Sequence, residues 1–147
     1  FTQKVNWKDL DFIIVDMPPG TGDTQLTFSQ EIKMDGAIIV STPQEVALLD
    51  VKRGIKMFDK LGVKILGLID NMSYFIGDDG KKYKIFGEGG VKKTADEFQK
   101  EFLGEIPISP QVGKLGDIGK PIVESDPEHE ISKIYLDFAE KIKSKYF

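Results

Sequence analysis

Asp16 closes the apolar run Asp11-Phe12-Ile13-Ile14-Val15 and is followed by Met17-Pro18-Pro19-Gly20-Thr21-Gly22-Asp23. A carboxylate at the end of a buried strand is the form taken by acids that hold a nucleotide-bound Mg²⁺, directly or through water. Gly20 and Gly22 have no Cβ, so their backbone N–H groups can approach a terminal phosphate. Asn71 ends a second apolar run. Its amide donates and accepts together and can match the N6/N7 edge of adenine, although a turn-favouring Asn after a strand is the plainer reading of that residue alone. Ile106-Pro107-Ile108-Ser109-Pro110 ends a third run. Pro107 there could help cover a base through the backbone, or simply mark a proline-bounded turn.

These residues need a scaffold that brings strand ends to one edge, and the hydrophobic pattern supplies it. Continuous apolar runs predict strands over 11–16, 35–41, 64–71 and 103–106, the kind buried on both faces in parallel sheets. Helices are expected between them. The first runs from about 24 to 33, capped by Asp23. The second opens with Thr42-Pro43-Gln44-Glu45 as a capping box with Pro in the first turn, carries Ala47, Val51, Ile55 and Phe58 on one stripe, and stops at Gly62. A short helix carries Val91, Ala95, Phe98 and Phe102. A final helix, capped at Asp126-Pro127 after a loop from 107, aligns Ile131, Ile134, Tyr135, Phe138 and Ile142. Strands alternating with helices predict a parallel α/β sheet, whose ligands bind beyond the carboxyl ends of the strands. The polar, glycine-rich stretch 72–90 is expected to be irregular. Residues 1–147 read as one domain without repeat or linker, and the start at Phe1 rather than Met suggests part of a longer or processed protein.

Composition narrows the function. The 147 residues carry a net charge of -4, against the basic surface that nucleic-acid binding requires. No apolar run approaches the roughly 20 residues of a membrane helix, and a cytoplasmic location is the expectation. There is no cysteine, so the chain supplies no thiolate ligand. Gly87-Glu88-Gly89-Gly90 lacks the following Lys and Ser/Thr of a phosphate loop and reads as a helix entry, and Gly119-Lys120 runs into Pro121. No Walker A motif occurs in these residues. His129, the single histidine, reads as a polar residue in the first turn of the last helix, and the lysines of 141–145 as the end of a sheet-packing helix.

The segments IIVDMPPGTGDTQLTFSQ (13–30), DGAIIVSTPQEVALLDVKRGIKMF (35–58), GLIDNMSYFI (67–76), IFGEGG (85–90), FLGEIPISPQV (102–112) and GKPIVESDP (119–127) resemble the Mrp/ApbC family of P-loop ATPases, relatives of MinD and ParA. The resemblance implies a MinD-type, Rossmann-like P-loop fold lacking its N-terminal part, and an ATP-dependent carrier or scaffold for iron–sulfur clusters that works as a homodimer with client proteins. It assigns Asp16 to the magnesium site and catalysis, Gly20 to the γ-phosphate switch and Asn71 to adenine. It also places the phosphate loop and the strand feeding it outside these residues. That strand would lie between the 11–16 and 36–41 strands, which must then close up or receive a strand from another chain. Family members commonly follow NMSYFI with Cys-Pro-x-Cys, whose thiolates hold a cluster between subunits. Gly77-Asp78-Asp79-Gly80 stands there instead, leaving a cubane cluster without its normal ligands. This sequence predicts a tight turn joining 74–76 to 83–85 as a small hairpin. Two other functions remain open: a MinD/ParA-like ATP switch that binds a protein or membrane partner without metal, and an inactive binding module.

Overall fold

A computed structural model describes residues 4–18, 20 and 22–147. Three parallel strands form the main sheet in the order β1-β2-β5, where β1 is Ala37–Ser41, β2 is Ile65–Asn71 and β5 is Phe102–Ile106. Helix α1 (Asp23–Glu31) precedes β1, and α2 (Glu45–Lys60) and α3 (Gly90–Glu97) lie in the crossovers. The expected hairpin is present, shorter than predicted, as β3 (Phe75–Ile76) antiparallel to β4 (Lys82–Tyr83). Beyond β5 come α4 (Pro110–Asp117), α5 (Ile122–Ser125) and α6 (Glu130–Tyr146).

Each face of the sheet carries its own apolar cluster. On one, Val51 and Ile55 of α2 and Val91 and Ala95 of α3 pack on Ile65 and Leu68. On the other, Ile131 and Phe138 of α6 and Ile122 of α5 pack with Ile69, Leu103 and Ile106. The apolar stripes read from sequence pack on the sheet, except that Tyr135 stays at the exposed margin of α6, and α3 ends at Glu97, so that Phe98 is its C-cap and Phe102 opens β5 rather than continuing the helix. Gly104 permits the second contact. Its φ is +148°, and a Cβ there would stand 2.7 Å from Cε1 of Phe138.

Four expectations need correction. The run 11–16 is not a strand: Ile14 is 94% exposed and no ladder forms along it. A parallel strand exists only through a neighbour's hydrogen bonds, and no described strand adjoins this run. It does not close up against β1, whose outer edge is unpaired among the described residues and whose Ile38 and Val40 are exposed at 43% and 54%. The stretch after Pro107 is not a plain loop but holds α4 and α5. Ser109 caps α4, its hydroxyl accepting the Val112 N–H, with Pro110 as the first helical residue. The caps also move: α1 starts behind Gly22 rather than Asp23, α2 behind Gln44 with no side-chain cap, and α6 behind His129. His129 Nδ1 accepts the Ile131 N–H at 3.1 Å, so this histidine is a cap and not a first-turn residue.

Candidate functional site

The carboxyl ends of β1, β2 and β5 share one edge, the edge that binds ligands in open parallel sheets. The ladder sets Ser41 beside Asp70 and Asn71 beside Ile106. Beyond the strands two loops are joined. The N–H and hydroxyl of Ser73 both donate to the Ile106 carbonyl, at 3.1 and 3.2 Å, and the Ile108 N–H donates to the Tyr74 carbonyl at 2.7 Å. These bonds bring the buried Pro107 next to the turn that follows Asn71. Asn71 is half-buried, and its Oδ1 accepts the N–H of Met72 at 3.0 Å, which holds Met72 at φ +55°. A non-glycine residue in that region costs on the order of 1 kcal/mol and persists where its surroundings fix it. The Asn71 amide nitrogen has no partner among the described residues and is free to donate.

Asp16, Gly20 and Gly22 stand apart from this pair, on the unpaired segment and the entry to α1. The Asp16 carboxylate is exposed and makes no ion pair among the described residues. Gly20 has φ +93°, a left-handed conformation that glycine adopts without penalty, with open space where a Cβ would stand. Gly22 is the N-cap of α1, and the buried Gln25 reaches back from the first turn to donate to the Pro18 carbonyl at 2.5 Å. The first N–H groups of a helix have no intrahelical acceptor and can face an anion. Pro19 and Thr21 of the same motif lie outside the described residues.

The hairpin occupies the position where the resemblance implies cysteines. Its turn is closed by Gly80 N–H to Gly77 carbonyl and Gly77 N–H to Lys81 carbonyl, both 2.9 Å. The Asp79 carboxylate accepts the Lys81 N–H at 3.0 Å and the Tyr83 hydroxyl at 2.8 Å. The Lys81 N–H, and after it Tyr83, hold Asp79 below the usual carboxylate range. No cluster of three or more His, Cys, Asp and Glu among the described residues could hold a metal ion, and the hairpin offers no thiolate to a cluster. No described helix is long and apolar enough to cross a membrane.

The family model for the ParA group, described as NUBPL iron-transfer P-loop NTPase, matches residues 1–143. The chain belongs to this family. An iron–sulfur cluster carrier protein of Synechocystis sp. is 48% identical over 99% of this chain, and the chain spans 42% of that protein's length. A nucleotide-binding protein from Archaeoglobus fulgidus, solved in complex with ADP, superposes with a TM-score of 0.72 at 38% identity over 86% of this chain and 51% of that one. MinD from Aquifex aeolicus shares the fold, with a TM-score of 0.62 at 22% identity over 86% of this chain and 50% of its own. The parallel α/β P-loop NTPase fold expected from the strand pattern and the resemblance is therefore the fold of this family member.

Sequence reasoning missed Asp70 in this NUBPL-type sheet. It precedes Asn71 on β2, is 1% exposed, and neither of its carboxylate oxygens has a hydrogen-bond partner among the described residues. Burial pushes its pKa up to about 6, the neighbouring Glu105 adds to the rise, and Lys84 opposes it. The available signal was a carboxylate placed one residue before the end of a strand covered on both faces.

Proposed function

We propose that the protein is an ATP-dependent carrier of iron–sulfur clusters, to which this chain contributes the base side, and the metal and γ-phosphate side, of a nucleotide site. Residues 1–147 act as part of a single P-loop domain whose phosphate loop is supplied by residues outside them. The observation that carries the reading is the joining of Asn71 and Pro107 at the carboxyl edge with the Asn71 amide nitrogen left free. Asn71 reads the adenine edge and the Pro107 backbone covers the ring. Asp16 supports Mg²⁺ bound to the phosphates, and the Gly20 and Gly22 N–H groups turn toward the γ-phosphate. Magnesium there would neutralise charge that develops on the transferred phosphoryl group.

The cluster is cargo, and its thiolate ligands come from outside this chain, which has no cysteine. A homodimer and apo client proteins in the cytoplasm fit that role. The test is Asp16→Asn in a longer form that includes a phosphate loop. A folded variant should hydrolyse ATP about 100-fold or more slowly, the scale of losing one transition-state charge contact. A near-normal rate would remove Asp16 from the site. The absence of cysteine and the Gly77/Gly80 turn favour a second reading, a MinD/ParA-like ATP switch that binds a partner without metal. Under that reading nucleotide controls partner binding, and no cluster moves to an apo acceptor in an anaerobic transfer assay.

A further inference from the structure

Asp70 is a buried carboxylate to which no donor is committed. Each hydroxyl has one proton to give, and three near the ends of these strands are spent elsewhere. Ser41 donates to the Thr42 carbonyl, Ser73 to the Ile106 carbonyl and Thr94 to the Gly90 carbonyl. From α2 and α3 the sheet face is covered by Val51, Ile55, Val91 and Ala95, which carry neither charge nor donor. Among the described residues, two charges act on Asp70. Glu105 is its register partner on β5, a like charge, and Lys84, in the connection from β4 to α3, is the cation. Lys84 is already shared, its Nζ lying 3.2 Å from Glu88 and 3.7 Å from Glu105.

Ionising Asp70 therefore places a second negative charge beside Glu105 in a poorly solvated position, and among the described residues the cation that favours its charged form is Lys84, which ties the connection down. An uncompensated buried charge is expensive enough to move a flexible lysine. We propose that Asp70 is a proton-operated latch on the connection between the hairpin and α3: neutral, it leaves Lys84 on Glu88 and Glu105, and ionised, it draws Lys84 inward and frees Glu88. The consequence reaches the carboxyl edge, because this connection packs on the turn after β1. A Cβ at Gly87 would stand 3.6 Å from the Pro43 carbonyl oxygen. The latch follows from Asp70, Lys84 and Glu105 alone and does not depend on the carrier reading.

The test combines a carbon-detected NMR titration of the aspartate carboxyls between pH 4 and 8 with amide hydrogen exchange, corrected for intrinsic rates, over 84–89. Asp70→Asn assigns the signal. In the unaltered protein the Asp70 carboxyl should titrate near pH 6, and exchange at 84–89 should quicken several-fold across the same midpoint. In Asp70→Asn that quickening should vanish. Should Asp70→Asn fail to fold, Lys84→Gln replaces it: the Asp70 midpoint should rise further and the exchange step should be lost. An Asp70 midpoint at or below pH 4, or the same exchange step in either variant, overturns the latch.

Discussion

Gly77→Cys combined with Gly80→Cys puts cysteines where the family resemblance implies them, and it should not create a cluster site. A Cβ at Gly77 would lie 2.7 Å from Cε2 of Tyr83 and 2.9 Å from Oδ1 of Asp79. Those two side chains are bonded to each other, and Asp79 is also bonded to the Lys81 N–H, so neither moves without breaking the turn's own contacts. Moving them would also break the exposed Tyr83–Asp79 bond. Gly80 sits at φ +73°, and a β-carbon in that left-handed region costs about 1–2 kcal/mol. The pair should therefore destabilise the protein by at least about 1–2 kcal/mol. Two assays read the result: the denaturant midpoint by circular dichroism, and absorbance after anaerobic reconstitution with iron and sulfide followed by gel filtration. The midpoint should fall, and neither parent nor variant should retain a chromophore. An unchanged midpoint together with a stoichiometric cluster on the double variant would refute the argument that the hairpin is built around glycine at these positions.

Asp70 makes a pH prediction with a definite sign. Its folded-state midpoint is raised from 3.8 to about 6, so its contribution to stability is fully present below about pH 4 and is lost as pH rises through 6. The difference is at most about 3 kcal/mol at 1.36 kcal/mol for each pKa unit. Urea denaturation should show Asp70→Asn more stable than the parent at pH 8, with the advantage shrinking toward pH 4; an equal gap at both pH values would count against it. Ile55→Ala removes a side chain that is 0% exposed at the centre of the α2–α3 cluster and should cost about 2–5 kcal/mol in the same assay. The 147 residues by themselves should not turn over ATP and should bind nucleotide weakly by calorimetry, because phosphate affinity comes mostly from a loop of converging N–H groups with a lysine. Steady hydrolysis by the purified chain would contradict this.

The same sequence signal succeeded at three strands and failed at a fourth, and the difference is physical. The runs at 37–41, 65–71 and 102–106 each find a parallel neighbour in the structure, and helices cover them. The run at 11–16 is as apolar, yet it has no ladder. Periodicity reports how a segment would sit if paired; pairing itself belongs to the neighbour. The helices at 110–117 and 122–125 escaped because they are short and the first is interrupted by Gly113 and Gly116, though Ser109-Pro110 is a start signal in its own right. The hairpin was legible because two glycines around two aspartates leave the chain little else to do.

The candidate site divides along the same line. Asn71 and Pro107 were legible as strand ends, and strand ends of a parallel sheet must meet at one edge, so their proximity follows from topology without any knowledge of side-chain contacts. Asp70 was not, because its character is set at a distance. An aspartate next to a strand end reads as the polar close of an apolar run. Its titration moves upward only when α3 covers the sheet, Glu105 arrives beside it from 35 positions along the chain, and Ser41, Ser73 and Thr94 spend their protons on carbonyls. None of those events leaves a local pattern. Residues brought together by strand ends can be read from the order of strands, whereas a carboxylate whose protonation is set by burial can be found only once the space around it is known.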